Sequence, residues 1–182
     1  METLAGGGHV IRVVLTGSES TGKTVLAWRL AQHYGAEHVP EFVRGYAEKK
    51  NGVLSFADHG PIAHGQIALE DKHFARAERL IIQDTDLLST VVYCAHYFGQ
   101  CPAWIADAAA HRRPDLYLIC DIDIPWIADG VRDRGHMRDP MQKLFIDAVV
   151  ASGVPFAHVT GMGDVRFERA VEAIDAFLLA SD

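Results

Sequence analysis

The chain has 182 residues, a formal net charge of −7 and 49% hydrophobic residues, which suits one globular α/β domain with a sizeable core. The acidic balance argues against duplex nucleic acid as the main partner, because phosphate neutralisation needs clustered Lys and Arg. Cys94, Cys101 and Cys120 lack C-x-x-C spacing and read as reduced cytoplasmic thiols, and no apolar run is long enough to span a membrane. Residues 1–8, with Gly6-Gly7-Gly8 and no basic n-region, read as a loose tail ahead of a single domain over 9–182.

The first element is a buried strand, Val10-Ile11-Arg12-Val13-Val14-Leu15. It runs into Gly17-Ser18-Glu19-Ser20-Thr21-Gly22-Lys23-Thr24, a G-x-x-x-x-G-K-T pattern, and a helix follows over 24–33. The order strand, glycine loop, helix is what a phosphate cradle requires. Gly17 and Gly22 allow close backbone approach, and the loop N–H groups and helix N-terminus form an anion nest. Lys23 is expected to reach the β- and γ-phosphates of ATP, and the Thr24 hydroxyl to ligate Mg²⁺.

A second strand fits 38–40, ending at Glu41. Ser55-Phe56-Ala57-Asp58 resembles an N-cap signature, so a long helix is expected over 56–78. Leu80-Ile81-Ile82-Gln83 is a third strand ending in Asp84-Thr85-Asp86, and helices are expected over 87–97 and 102–110. Residues 115–120 form a fourth strand. Asp139-Pro140 starts a helix that Gly153 ends, residues 156–159 form a fifth strand, and Thr160-Gly161 turns the chain. Phe167, Val171, Ile174 and Leu178 mark the core stripe of a last helix.

Alternation of this kind predicts a largely parallel sheet with its ligand beyond the carboxyl ends of the strands. The polar residues at those ends are the candidate site. Asp84 is expected to hold Mg²⁺, with Thr24. Glu41 and Asp86 are expected to face the acceptor, as carboxylates that take a hydroxyl proton or bind a ribose diol; as an alternative, Asp86 caps the next helix. Arg44, three residues after Glu41, falls beside it in helical geometry. Asp121 and Asp123 follow strand four, and Thr160 and Gly161, after strand five, join the nucleotide set. Arg132, Arg134 and Arg138 lie in a polar stretch that reads as a short lid whose arginines stabilise the migrating charge, Arg132 and Arg138 in catalysis and Arg134 on the nucleotide. Trp126 in that stretch is the first choice for a flat surface under a base, ahead of Trp104, Tyr93 and Tyr97. The histidines show no zinc spacing. Asn51 is the only asparagine and Gly52 follows it, so the N-K-x-D loop of GTP switches is absent.

These residues resemble the ribosylnicotinamide kinase domain of bacterial NadR-type proteins. The resemblance runs from about Ile11 to about Ala176. It rests on Gly17–Thr24, Val39-Pro-Glu-Phe-Val-Arg44, Gly65-Gln66 with Leu69-Glu70, Asp84-Thr-Asp-Leu-Leu88, Asp121-Ile-Asp-Ile-Pro-Trp126 and Asp129-Gly-Val-Arg-Asp133. It implies a P-loop kinase fold: five parallel strands ordered 2-3-1-4-5, flanked by helices, with a short lid. It also implies ATP-dependent phosphorylation of the 5′-hydroxyl of nicotinamide riboside, giving nicotinamide mononucleotide. The pyridinium cation and ribose diol of that substrate suit Glu41, Asp86, Asp123 and the face of Trp126. The stretch Val39-Pro-Glu-Phe-Val-Arg-Gly-Tyr46 departs from the more usual V-P-E-Y-A-R-E-Y. The absence of an H-x-G-H motif predicts no adenylyltransferase activity here. Kinases of other nucleosides, and ATP-hydrolysing or ATP-sensing P-loop proteins, are the alternatives, and a homo-oligomer is left open.

Overall fold

The computed structural model describes residues 9–125 and 138–181. The expected tail at 1–8, and the part of the expected lid that holds Trp126, Arg132 and Arg134, lie outside the described residues.

Five parallel strands form the centre: β1 (Ile11–Thr16), β2 (Glu37–Val39), β3 (Leu80–Asp84), β4 (Leu116–Cys120) and β5 (Phe156–Val159). Their spatial order is β2-β3-β1-β4-β5, the expected one. Each expected strand lies within a residue or two of its observed span. The reason is chemical: a parallel strand covered on both faces must be apolar throughout, and β3 and β4 are buried along their whole length.

The helices are α1 (Lys23–Tyr34), α2 (Phe42–Lys49), α3 (His59–Phe74), α4 (Leu87–Phe98), α5 (Ala103–His111), α6 (Arg138–Ser152) and α7 (Gly163–Ser181). Side chains alternate along each strand, so the sheet has two different faces. Val13, Leu15, Leu80, Ile82, Leu116 and Leu118 pack on Leu26 and Leu30 of α1 and Ala170 and Ile174 of α7. On the other face, Val14, Tyr117 and Ile119 meet Val149 of α6, while α3, α4 and α5 pack together through Ala63, Leu87 and Ile105. The predicted stripe on α7 is core-facing: Ile174 is buried, and Phe167, Val171 and Leu178 pack against the same cluster.

Two elements differ from expectation. The helix expected over 56–78 is a 3₁₀ turn, Phe56–Asp58, followed by α3, which stops at Phe74. Ser55 and Asp58 form a reciprocal capping box that closes the turn tightly, as their spacing suggests. Helix α2 was not expected. It is only eight residues long and carries Val43 and Gly45, which are weak helix formers. No described helix is long and apolar enough to cross a membrane.

The strand order reverses beside β1, with β3 on one side and β4 on the other. A crevice beyond the carboxyl ends of these strands is the consequence.

Candidate active site

The loop from β1 into α1 fills that crevice. Gly17 has φ +123°, and a Cβ there would fall 2.7 Å from the Cys120 carbonyl oxygen, so only glycine lets the loop pass this close to β4. Ser20 also has positive φ, and Gly22, at φ +77°, forms the N-cap of α1. The chain thus curls on itself, and Thr21 Oγ1 donates to the Ser18 carbonyl at 3.0 Å. Lys23 Nζ lies across the curl, donating to the carbonyls of Gly17 at 2.9 Å and Ser18 at 2.6 Å. The ammonium therefore sits within the loop that would wrap a phosphate chain.

Parallel pairing of Leu15 with Asp84 brings the end of β3 beside this loop. Thr24 Oγ1 donates to Asp84 Oδ2 at 2.6 Å. Asp84 is 1% exposed, and its Oδ1 has no hydrogen-bond partner among the described residues. An unpartnered buried carboxylate oxygen is costly unless a cation completes it. The donor set fits Mg²⁺, a hard ion that takes oxygen ligands and usually relies on one or two protein groups plus phosphates and water. No cluster of three or more His, Cys, Asp or Glu side chains suited to a metal exists among the described residues. Thr24 and Asp84 are thus the residues that would hold it.

Glu41 follows β2 as the N-cap residue of α2, and Arg44 lies on the first turn of that helix. Arg44 Nε is 3.8 Å from Glu41 Oε2, and its Nη2 donates to Thr24 Oγ1 at 3.3 Å. The unexpected helix thus carries Arg44 to the same hydroxyl that Asp84 engages, with Glu41 beside Arg44. Thr24, Asp84, Arg44 and Glu41 form one connected cluster, next in sequence to Lys23.

Asp86 lies elsewhere. Thr85 has φ +66°, which breaks the extended alternation and turns Asp86 to the opposite face of the sheet. There its Oδ1 caps α4 by accepting Leu88 N–H at 3.0 Å, and its Oδ2 accepts the Tyr117 hydroxyl at 2.6 Å. Burial pushes its carboxyl up to about 6, with the Tyr117 hydrogen bond opposing. The helix-cap alternative is the role this geometry displays. Asp123 is engaged on the β4–β5 side of the loop. It pairs with Arg166, and its Oδ2 accepts Gly161 N–H at 2.6 Å. Trp104, 39% exposed, stacks on exposed His64, and Tyr93 packs edge-on against core Phe145.

The β4–β5 side of the loop is organised by residues that the sequence reading passed over. Arg166 is 4% exposed and behaves as a staple. Its Nε donates to Gly161 O at 2.7 Å, Nη1 to Thr21 O at 2.9 Å and Nη2 to Asp121 O at 3.0 Å. Three separate turns are thereby held by one guanidinium, with Asp123 supplying the countercharge that burial demands. Gln142 of α6 accepts Ser18 N–H at 2.8 Å and donates to Cys120 O at 3.1 Å. Arg138, the described member of the expected arginine set, donates to Ser20 O at 3.4 Å and Ile124 O at 3.0 Å, which brings it to the phosphate loop. Burial holds its guanidinium below its ordinary value. Thr160 is engaged by Arg169, beside Gly161.

Arg166→Lys is expected to weaken ATP binding about tenfold, because one ammonium cannot reach three carbonyls at once. Calorimetric titration with MgATP checks this, and wild-type affinity would deny the staple its role.

A family model described as an AAA domain matches residues 12–167. The trifunctional NAD biosynthesis/regulator protein NadR of Salmonella typhimurium is 29% identical over 169 residues, which cover 89% of this chain and 41% of that protein. The Escherichia coli protein of the same name is 28% identical over the same shares. The chain thus spans less than half the length of these relatives. A solved structure of NadR protein in complex with NR superposes with a TM-score of 0.77 at 25% identity, covering 92% of this chain and 51% of that one. NadR protein in complex with NAD and AMP-PNP gives 0.79 at 24%, covering 92% and 49%. Thymidylate kinase from Ehrlichia chaffeensis shares the fold at 0.64 and 18%, over 92% of this chain and 98% of that one. A phosphate loop, a buried strand-end carboxylate and a match over most of the length agree: the chain belongs to the AAA domain family.

Proposed function

We propose that this chain transfers the γ-phosphoryl group of ATP to the 5′-hydroxyl of nicotinamide riboside, giving nicotinamide mononucleotide. The observation that carries the reading is the single hydroxyl of Thr24, which is hydrogen-bonded both to Asp84 on the metal side and to Arg44 on the acceptor side. Such a link would join an ATP side to an acceptor side, which a simple hydrolytic switch does not need. NadR proteins of the same fold form complexes with NR and with AMP-PNP, and this supports both ligands.

Phosphoryl transfer is mainly positioning and charge neutralisation. The amides of residues 17–24 cradle the phosphates, and Lys23 neutralises charge on the migrating group. Thr24 and Asp84 would hold Mg²⁺, which would supply positive charge against the phosphates. Glu41 orients the 5′-hydroxyl or accepts its proton, and Arg44 holds Glu41 toward the loop. Arg138 adds positive charge from the far side of the cradle. Arg166 and Gln142 keep the cradle in shape. The three described cysteines are free thiols, which suits a reducing, cytoplasmic setting.

The reading is tested by incubating the protein with MgATP and a panel of nucleosides and identifying products by mass. Nicotinamide riboside is expected to gain one phosphoryl group. Gain on a different nucleoside would replace the substrate but keep the kinase. ATP loss without any phosphorylated acceptor would replace the kinase with a hydrolase.

A further inference from the structure

Helix α2 has to be aimed, because Glu41 and Arg44 both depend on where its first turn lies. The N–H groups of a first helical turn lack intrahelical partners, and Glu41 does not cap its own helix with its side chain. Here the cap comes from a different helix. Gln66 of α3 accepts Phe42 N–H on its Oε1 at 3.0 Å. The Gln66 side chain cannot swing away, since its Nε2 donates to Glu70 Oε1 at 3.2 Å. Glu70 is itself fixed, with Arg12 Nη2 at 3.3 Å and Arg112 Nε at 3.1 Å on its Oε2. Gln66 and Glu70 are both buried. Gly65 completes the joint. A Cβ there would fall 2.1 Å from Phe42 Cζ, so the ring lies directly on the α3 backbone.

We infer that Gln66, with Gly65 beneath Phe42, is a positioning residue that holds the start of α2 and so sets Glu41 and Arg44 against Thr24. A continuous line of contacts runs from Arg12 on β1 through Glu70 and Gln66 to Phe42 N–H. It anchors the acceptor side to the central strand that also begins the phosphate loop. The donor side has further supports in Gln142 and Arg166, which hold the phosphate loop without touching Gln66. Disturbing Gln66 therefore separates acceptor recognition from ATP recognition.

The activity part of the test rests on the kinase reading above, whereas the exchange part does not. Gln66→Leu keeps the volume and removes both hydrogen bonds. Amide hydrogen exchange over 42–49 is expected to quicken about tenfold, with α6 and α7 unchanged. The acceptor KM is expected to rise about tenfold while the ATP KM stays within about twofold of wild type. Gly65→Ala, which pushes on the Phe42 ring, is expected to reproduce this pattern and decides the matter if Gln66→Leu fails to fold. Unchanged exchange in α2 overturns the inference whatever the activity. Faster exchange with an unchanged acceptor KM, in a protein whose wild type phosphorylates a nucleoside, overturns it as well. If the wild type phosphorylates no nucleoside, the kinase reading falls and the exchange result alone judges the role of Gln66.

Discussion

Lys23→Met is expected to lower kcat for phosphoryl transfer by about a hundred- to a thousandfold, with the folded structure retained. Methionine preserves much of the length and the apolar stem of lysine but removes the charge. In the wild type the ammonium is held inside the loop by the carbonyls of Gly17 and Ser18 and by Thr21 Oγ1 at 3.3 Å. It is therefore already held at the loop that would wrap a phosphate chain, close to where charge shifts toward the leaving oxygen. A preorganised cation in a partly desolvated cleft acts on the transition state more than on bound ATP. The loss should fall on kcat more heavily than on ATP affinity. The fold should survive because Gly17 packing on Cys120, the Gln142 clip and the Arg166 staple do not involve the lysine charge. Steady-state kinetics at saturating MgATP and nucleoside, with a thermal melt as control, measure this. Near wild-type kcat in a well-folded variant would remove Lys23 from the chemistry.

How much of this was legible before folding depends on how local each feature is. The strands of the sheet were readable because a strand covered on both faces must be an unbroken apolar run, as in Leu80-Ile81-Ile82. The phosphate loop was readable because its glycines answer to backbone geometry within eight residues. The Thr24–Asp84 pairing followed from placing a carboxylate at the end of the strand beside the loop.

Asp86 and Asp123 show where position along a strand stops being informative. Both follow strand ends, yet the positive φ of Thr85 turns one away, and the buried Arg166 captures the other. The local pattern offered the cap role of Asp86 as an alternative, but neither the reversal at Thr85 nor the capture by Arg166 leaves a mark in it. Arg166 sits between Val165 and Phe167 in a helix whose period is set by core contacts. Its partners Thr21 and Asp121 are 145 and 45 residues away. Gln142 reaches Ser18 across 124 residues. Long-range side-chain bonds to backbone atoms need the fold before they can be seen. Helix α2 was missed for a different reason: its order comes from Gln66 and the bare backbone of Gly65, not from its own propensity.

Asp84→Asn is expected to change activity and stability in opposite directions. The buried carboxylate satisfies one oxygen with the Thr24 hydroxyl and leaves the other unpartnered among the described residues. Without a cation that arrangement is unfavourable, since a buried anion lacking full hydrogen bonding pays a desolvation penalty. An asparagine carbonyl can still accept from Thr24, and its neutral amide costs less to bury. The variant without nucleotide or metal is therefore expected to be as stable as the wild type or more stable, by on the order of 1 kcal/mol. The same change removes the negative charge that recommends this site for Mg²⁺. Transfer at a fixed magnesium concentration is expected to fall by about a hundredfold or more, with partial recovery as magnesium is raised. Thermal melts of the metal-free protein and a magnesium titration of the rate read the two halves separately. A variant that melts lower yet turns over normally would show Asp84 to be a structural partner of Thr24. The opposite signs matter because a site shaped for a cation holds its charge at the expense of the empty fold, and mere damage to packing cannot produce that combination.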